Sequence, residues 1–420
     1  MFQSMGKRSS LNPEGLFKPS AKNRKVLAGI DVPLMLTLIA LVVFGLIMVH
    51  SASWDDSIQV YGSPTMIFQR QVIWALLGIG VAAVTTLIDY HHLGKIALPA
   101  LIVTILSLVA VLLFGEERNY AVRTLFRGSV QPSELAKLVT IIYLSVWLYS
   151  KRERLNTITF GLIPLGMILG FIVGWIALQP DYSATLTILF LGGIMFFLAG
   201  GEKKQIFLLV VISLVIGVLV VNVTDTGRQR FQDYRSGWQD VGQSSYHVLR
   251  SMESFAKGGI LGVGIGKADT KLTGLPFPST DSIFAVVGEE TGLLGSALLV
   301  GLFTILLWRG MAIAMSAPDE MGKVLAGGLT VWITFEAFLN MAVMVNLVPF
   351  AGNALPFMSA GGSNLVVSLT GMGILMNISR QSAKKREEVW SKFGEVVDLR
   401  RWDRRRSVSR SRRSAGIQQD

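Results

Sequence analysis

The chain has 420 residues, 51% of them hydrophobic and only 16% charged, and it contains no cysteine. An ordinary soluble domain carries about 25% charged residues, so this composition excludes a disordered chain, a disulfide scaffold and a thiolate metal site. The net charge of +11 would suggest nucleic acid on a soluble domain, but residues 1–30 carry +5 and residues 380–420 carry +7 around a nearly neutral middle, and no nucleic-acid partner is expected.

A bilayer core roughly 30 Å thick needs about 20 apolar residues per helix. Ten apolar runs approach that length, at about 33–53, 71–89, 96–114, 134–150, 159–178, 183–200, 206–223, 283–308, 322–346 and 361–379. The fourth opens with Glu134 and Lys137, and the eighth contains Glu289 and Glu290. The runs are apolar all round, unlike the helices of a soluble core. They predict an all-α integral membrane protein of about ten transmembrane helices. Three regions follow: a basic N-terminal tail (1–30), a ten-helix domain (31–380) and a basic C-terminal tail (381–420) without regular structure.

An even number of spans puts both termini on one side. With the termini cytoplasmic, 27 of the 39 basic residues lie inside, as the positive-inside bias requires. The first thirty residues lack an apolar stretch, so no cleavable signal peptide is expected there. Twelve basic residues fall outside. They include Arg70, Arg118, Arg123, Arg127 and Lys137, and the rest lie in the one large loop, 224–282, which is expected to be extracytoplasmic. An anionic ligand held at the outer face would explain the cluster. The plainer alternative is that long loops translocate regardless of charge. The same loop carries Gly258–Gly266 (GGILGVGIG). No strand clearly precedes this stretch and no helix clearly opens from it, so a close backbone turn is expected rather than a nucleotide fold.

The four histidines form no ligand set, which leaves carboxylates, amides and guanidinium groups to carry chemistry. They gather at five places on the outer face. These are Gln131–Lys137 (QPSELAK), Gln179-Pro180-Asp181, Leu275-Pro276 with Ser279-Thr280-Asp281, Gly288-Glu289-Glu290, and Leu355-Pro356-Phe357 with Ser359 and Gly361-Gly362-Ser363. Each has a plainer reading. Ser133 and Glu134 look like a helix start, with Ser133 as N-cap. Glu134 and Lys137 are spaced to pair. Asp181 after proline suits a turn. Asp281 suits an N-cap, and the two glycines suit a tight turn. Glu289 and Glu290 lie about two turns into a span, where ionisable groups face a pathway or a partner, or form a structural ion pair.

The five motifs in this order resemble the SEDS family of bacterial cell-wall polymerases, the family of FtsW, RodA and SpoVE. The resemblance covers about residues 31–380. It is carried by QPSELAK at 131–137, LPxxxTDxIFAVVGEExG at 275–292 and LPFxSxGGS at 355–363, with Arg70-Gln71 similar to a basic-Gln pair of the family. Four places depart from the family pattern. Ser279 stands where His is usual, Tyr182-Ser183-Ala184 follows Gln-Pro-Asp in place of x-Gly-Thr, Arg123-Thr124 replaces Arg-Trp, and Ala351-Gly352 replaces Thr-Gly.

The resemblance implies peptidoglycan glycosyltransfer: polymerisation of lipid II at the outer face of the bacterial plasma membrane. It also implies a class B penicillin-binding protein and other divisome or elongasome proteins as partners. Under it Asp281 is the general base, or orients the acceptor. Arg123 and Lys137 contact the pyrophosphate, with Arg127 a lesser candidate. Glu134, Glu289 and Glu290 hold the site's cations, and Gln131, Ser133, Asp181, Thr280, Ser359, Gly361, Gly362 and Ser363 complete the substrate-binding set. No tightly bound cofactor is expected; a divalent cation (Mg or Mn) at Asp281 is the one candidate. Two other classes stay open, a lipid II flippase and a non-catalytic scaffold. A flippase needs polar groups spread through the membrane depth, whereas here they crowd at one face. The tails and Ser51-Ala52-Ser53 look more like FtsW than RodA, which points to division. The clusters Arg404–Arg406 and Arg410–Arg413 suit anionic membrane lipid or a protein partner.

Overall fold

The computed structural model describes residues 29–114, 116–118, 121–124 and 131–396. The helices among them are α1 (Val32–Ala52), α2 (Trp54–Tyr61), α3 (Met66–Leu87), α4 (Leu93–Phe114), α5 (Pro132–Lys151), α6 (Ile163–Ala177), α7 (Tyr182–Leu198), α8 (Lys203–Val223), α9 (Asp225–Gln239), α10 (Tyr246–Gly258), α11 (Ile283–Met315), α12 (Glu320–Met344) and α13 (Gly362–Val396). Each of the ten apolar runs falls on a helix. Six stretches are long and apolar enough to cross a membrane on length and composition: α1, α3, Tyr90–Phe114, Ile158–Ala177, α11 and α12. The chain is a multi-pass helical membrane protein.

Burial follows from that solvent. Leu36 and Val43 on α1, Ile73 and Leu76 on α3, and Leu106 and Leu113 on α4 stay exposed, where a water-soluble fold would cover such a belt. At the centre stands α12, buried on most of its length and packed against α5, α7, α11 and α13. At the rim stands α8, which packs on α7 and α9 and exposes an apolar surface along residues 207–218 except Leu209.

The structure corrects the sequence reading in three places. Glu116–Arg118 (β1) pairs antiparallel with Ala121–Thr124 (β2), so the fold is not wholly α; strands this short leave no trace in an apolar pattern. The expected tail boundary at 380 falls inside α13, which continues to Val396. Residues 381–396 are mostly good helix formers with acids and bases three and four apart, so the helix has no reason to stop at the end of the apolar run. The third is α11, which breaks at Gly292 (φ 67°, ψ −164°). The large loop holds α9 and α10. Arg127 and the tail segments 1–28 and 397–420, with their basic clusters, lie outside the described residues, as does the side chain of Arg123.

Candidate active site

The end of the bundle that carries α9 and α10 is organised by two copies of one turn. Leu275-Pro276-Phe277-Pro278-Ser279 and Leu355-Pro356-Phe357-Met358-Ser359 share the pattern Leu-Pro-Phe-x-Ser. Each places its phenylalanine in the left-handed region, Phe277 at φ 49° and Phe357 at φ 66°. A bulky residue there costs about 1–2 kcal/mol, and such strain clusters at functional sites. The turns dock on each other: Ala360 N donates to Ser279 O (2.7 Å) and Ser359 Oγ donates to Thr280 O (2.7 Å). Sequence reading noted both motifs and missed that they are the same turn.

Asp281 follows the first turn and is part-exposed. It is not the helix cap that its position suggested, because α11 is preceded by Ser282. Asn340 on α12 donates through Nδ2 to Asp281 O (2.9 Å) and to Asn353 O (2.7 Å). A Cβ on Gly352 would lie 3.0 Å from Asp281 Oδ2, so glycine there leaves room for the carboxylate. Beside it runs a ring column. His247 stacks between Phe350 (4.4 Å) and Phe277 (6.0 Å), and the Arg230 guanidinium stands 5.6 Å from the Phe350 centroid. Burial, helped by the charge of Arg230, pulls the His247 pKa down to about 4, so its imidazole is neutral at physiological pH.

Below this mouth lies a buried ion cluster. Lys137 Nζ pairs with Glu134 Oε2 (2.8 Å) and, more closely, with Glu336 Oε1 on α12. Asn364 on α13 donates to Glu134 Oε2 (3.0 Å), and the Trp332 ring centroid stands 5.7 Å from Lys137 Nζ. The expected pairing of Glu134 with Lys137 is present. The expected contact of Lys137 with a ligand pyrophosphate is not supported, because Lys137 is 3% exposed and shared by two carboxylates. It positions α5 against α12. Glu336 was not singled out from the sequence, although a lone acid inside the ninth apolar run was a usable signal.

Gln131, not Ser133, is the N-cap of α5: Pro132 with its fixed φ takes the first helical position and sets the cap two residues earlier than expected. Ser133 Oγ (2.9 Å) and Gln131 Nε2 (3.2 Å) both donate to Asp181 Oδ2. Asp181 also accepts from Ala184 N, so it caps α7 rather than marking a plain turn. Gln131 N donates to Ser363 Oγ (3.0 Å), which joins α5 to the start of α13. Gly361 N donates to Gln71 Oε1 (3.1 Å) and Gly362 opens α13, so the glycine pair ends the second turn as a helix start.

Glu289 and Glu290 are each 1% exposed. Glu289 accepts from Asp269 N (2.8 Å) and Thr270 N. Glu290 Oε1 accepts from Lys271 Nζ (2.7 Å) and Ser51 Oγ (2.5 Å). Both hold the 269–271 segment rather than facing a ligand, and Glu290 does hold a cation. The glycine-rich stretch packs backbone to backbone on this part of α11. Val263 N and Gly264 N donate to Glu289 O and Glu290 O, and a Cβ on Gly262 would fall 2.2 Å from Glu290 O. Among the described residues no three His, Asp or Glu side chains gather as a resident metal site. Asp281 offers one carboxylate, which suits a divalent cation only where substrate phosphate oxygens and water complete the shell.

Residues 32–384 match the cell cycle protein family that comprises FtsW, RodA and SpoVE. The chain belongs to this family. A probable peptidoglycan glycosyltransferase FtsW of Trichlorobacter lovleyi is 37% identical over 84% of this chain and 94% of its own length. That of Geobacter metallireducens is 35% identical over 85% and 96%. A solved peptidoglycan synthase complex, described as coordinating polymerization and crosslinking, contains a chain that superposes with a TM-score of 0.70 at 25% identity, covering 84% of this chain and 98% of that one. The departures from the SEDS pattern noted above therefore lie inside a family member. One of them, Ala351-Gly352, keeps the glycine that lies against Asp281.

Proposed function

We propose that this protein is a peptidoglycan glycosyltransferase that polymerises lipid II at the outer face of the bacterial plasma membrane. The observation that carries it is Asp281, a part-exposed carboxylate held by main-chain anchors at the mouth of a polar site in a membrane protein of this family. Glycan extension needs a base for the attacking hydroxyl, and Asp281 supplies it. It also needs positive charge where the pyrophosphate departs. Arg230 stands over the ring column beside Asp281 and takes the place first given to Lys137; Arg123 remains a second candidate. When a divalent cation is bound, Asp281 and substrate phosphates would hold it, and it would neutralise charge on the leaving group. Ten membrane crossings with both termini cytoplasmic, the topology that the positive-inside bias favours, would put this end of the bundle outside and 27 of 39 basic residues inside.

Polymerisation fits better than lipid II flipping. Glu336 lies eight residues before the end of α12 and Lys137 five residues after the start of α5. At 1.5 Å per residue the site's charges reach only about 12 Å below the mouth, not across the bilayer. The FtsW relatives favour septal synthesis, and the synthase complex supports a class B penicillin-binding protein as partner. The test is lipid II polymerisation by purified wild type and Asp281→Asn protein in detergent. Wild type is expected to make glycan strands and the variant none. Normal strands from Asp281→Asn would overturn the assignment.

A further inference from the structure

Three buried oxygens behind Asp281 receive no hydrogen bond from any described residue. They are Glu336 Oε2 and Asn340 Oδ1, one turn apart on α12, and Asn353 Oδ1. Glu336 is 2% exposed, Asn340 0% and Asn353 8%. Asn353 closes the group: its Nδ2 donates to Glu336 O (2.9 Å), and its own carbonyl accepts from Asn340 Nδ2 (2.7 Å). These bonds also fix both amides. Flipping either would set its oxygen against the carbonyl oxygen to which it now donates, so Oδ1 is the atom without a donor in each.

A buried acceptor without a donor is costly, and three of them on one helical turn and the residue bound across it call for one shared partner. The oxygens select it. A carboxylate oxygen and two amide carbonyl oxygens are the ligand types that suit a hard cation. A water molecule has two hydrogens for three acceptors. A proton on Glu336 together with a water would serve all three. Lys137 Nζ binds this carboxyl at Oε1, however, and the Trp332 indole N–H faces it without closing a hydrogen bond. Donors to a carboxyl favour its ionised form.

The charge of the cluster sets the valence. Two carboxylates, Glu134 and Glu336, against one ammonium, Lys137, leave −1. A monovalent ion neutralises that charge, whereas a divalent ion would leave +1 buried among the helices. We propose that Glu336, Asn340 and Asn353 bind a monovalent metal cation of the sodium class, with water completing its shell. This site is separate from the Asp281 carboxylate. Asn340 reaches Asp281 only at its main-chain oxygen (2.9 Å), and Asn353 follows Gly352, which lies against the carboxylate. The ion ties α12 to the segment behind Asp281. The proposal does not depend on the glycosyltransferase reading.

The test uses the full-length protein in detergent and needs no turnover. Binding of radiolabelled Na⁺ is measured by scintillation proximity in choline chloride for wild type, Glu336→Gln, Asn353→Leu and Asp281→Asn. Wild type is expected to bind about one ion per chain, displaced by unlabelled NaCl but not by the same concentration of choline or magnesium chloride. Glu336→Gln and Asn353→Leu should each weaken binding by about tenfold or more, and Asp281→Asn should leave it within about twofold. Thermal unfolding is the second readout. The wild-type midpoint should rise by about 2 °C for each tenfold increase in NaCl above the dissociation constant, at constant ionic strength. Glu336→Gln, which is nearly isosteric, should not follow. No saturable Na⁺ binding by folded wild type, or binding that Glu336→Gln retains, would overturn the site. So would loss of binding in Asp281→Asn alone, which would place the ion at that carboxylate. Stabilisation of wild type in choline as pH falls from about 8 to about 6, with no Na⁺ bound, would assign the three oxygens to a proton and a water and overturn it as well.

Discussion

Replacing Lys137 by methionine tests how the three central helices are held. Lys137 on α5 joins Glu336 on α12, and its partner Glu134 accepts from Asn364 on α13; side-chain exposures are 4% for Lys137, 3% for Glu336 and 10% for Glu134. The cluster already holds two carboxylates for one ammonium. Lys137→Met removes the only cation of the cluster and leaves both acids buried, and stranding a buried charge costs about 3–5 kcal/mol. Glu336→Gln acts in the opposite sense: it keeps the pair of Lys137 with Glu134, removes the surplus charge, and should cost about 1 kcal/mol. The decisive protein is the double variant, Lys137→Met with Glu336→Gln. It strands one acid instead of two, so it should be more stable than Lys137→Met alone, with a coupling of about 1–3 kcal/mol. Thermal unfolding in detergent, read by tryptophan fluorescence, checks the order. Midpoints shift by roughly 2–4 °C per kcal/mol in chains of 150–250 residues and by less in longer ones, so Lys137→Met should fall by about 5 °C or more. A double variant less stable than Lys137→Met, or a Glu336→Gln variant as unstable as Lys137→Met, would refute the reasoning.

Gly262 and Gly266 both have positive φ, but only Gly262 faces backbone, with a Cβ position 2.2 Å from Glu290 O against open space at Gly266. Gly266→Ala should cost about 1 kcal/mol of left-handed strain, while Gly262→Ala should lose several times that and much of the folded yield on size-exclusion chromatography; equal losses would show that the packing on α11 is not what the glycine serves. His247, held down to about pKa 4 by burial and by Arg230, stays neutral in the folded state while the unfolded chain takes up a proton below about pH 6.5. Stability should therefore fall as pH drops from about 6.5 to about 4, and His247→Phe, which preserves the stacking, should flatten that fall in the unfolding midpoint; an unchanged pH slope would show that His247 is not the group responsible.

What the sequence made legible was local. The ten apolar runs each mark a helix, and Glu134 with Lys137 at i,i+3 could be paired on spacing alone. What it hid was set by distant chain. The second partner of Lys137 lies 199 residues away on α12, so spacing carried no hint that its charge was already committed. Helix starts shifted for a local reason given too little weight: a proline at the first helical position fixes the cap before itself, which moves it from Ser133 to Gln131. Asp281 read as a cap because it is an acid before an apolar run, but the turn that precedes it carries the chain one residue further before α11 begins. The helix beyond 380 was missed because the apolar run ended there, although helix propensity did not.

The way Asp281 is held decides what its substitution can report. Three successive residues are anchored, and each anchor ends on a main-chain oxygen: Ala360 N on Ser279 O, Ser359 Oγ on Thr280 O and Asn340 Nδ2 on Asp281 O. The partners come from the second turn and from α12, and the second turn is itself fixed from α1. A Cβ on Gly45 would fall 2.1 Å from Phe357 O, so α1 lies directly against that turn. Asp281→Asn is nearly isosteric and leaves all three of these anchors in place. Its loss of activity would therefore report the carboxylate and not a collapsed turn. Asn340→Leu makes the complementary change: it keeps the carboxylate and removes an anchor, so it should weaken turnover without abolishing it, whereas Asp281→Asn should abolish it. Catalytic sites tolerate errors of only about 0.5 Å in such a group, and a site anchored through its backbone separates position from chemistry in this way.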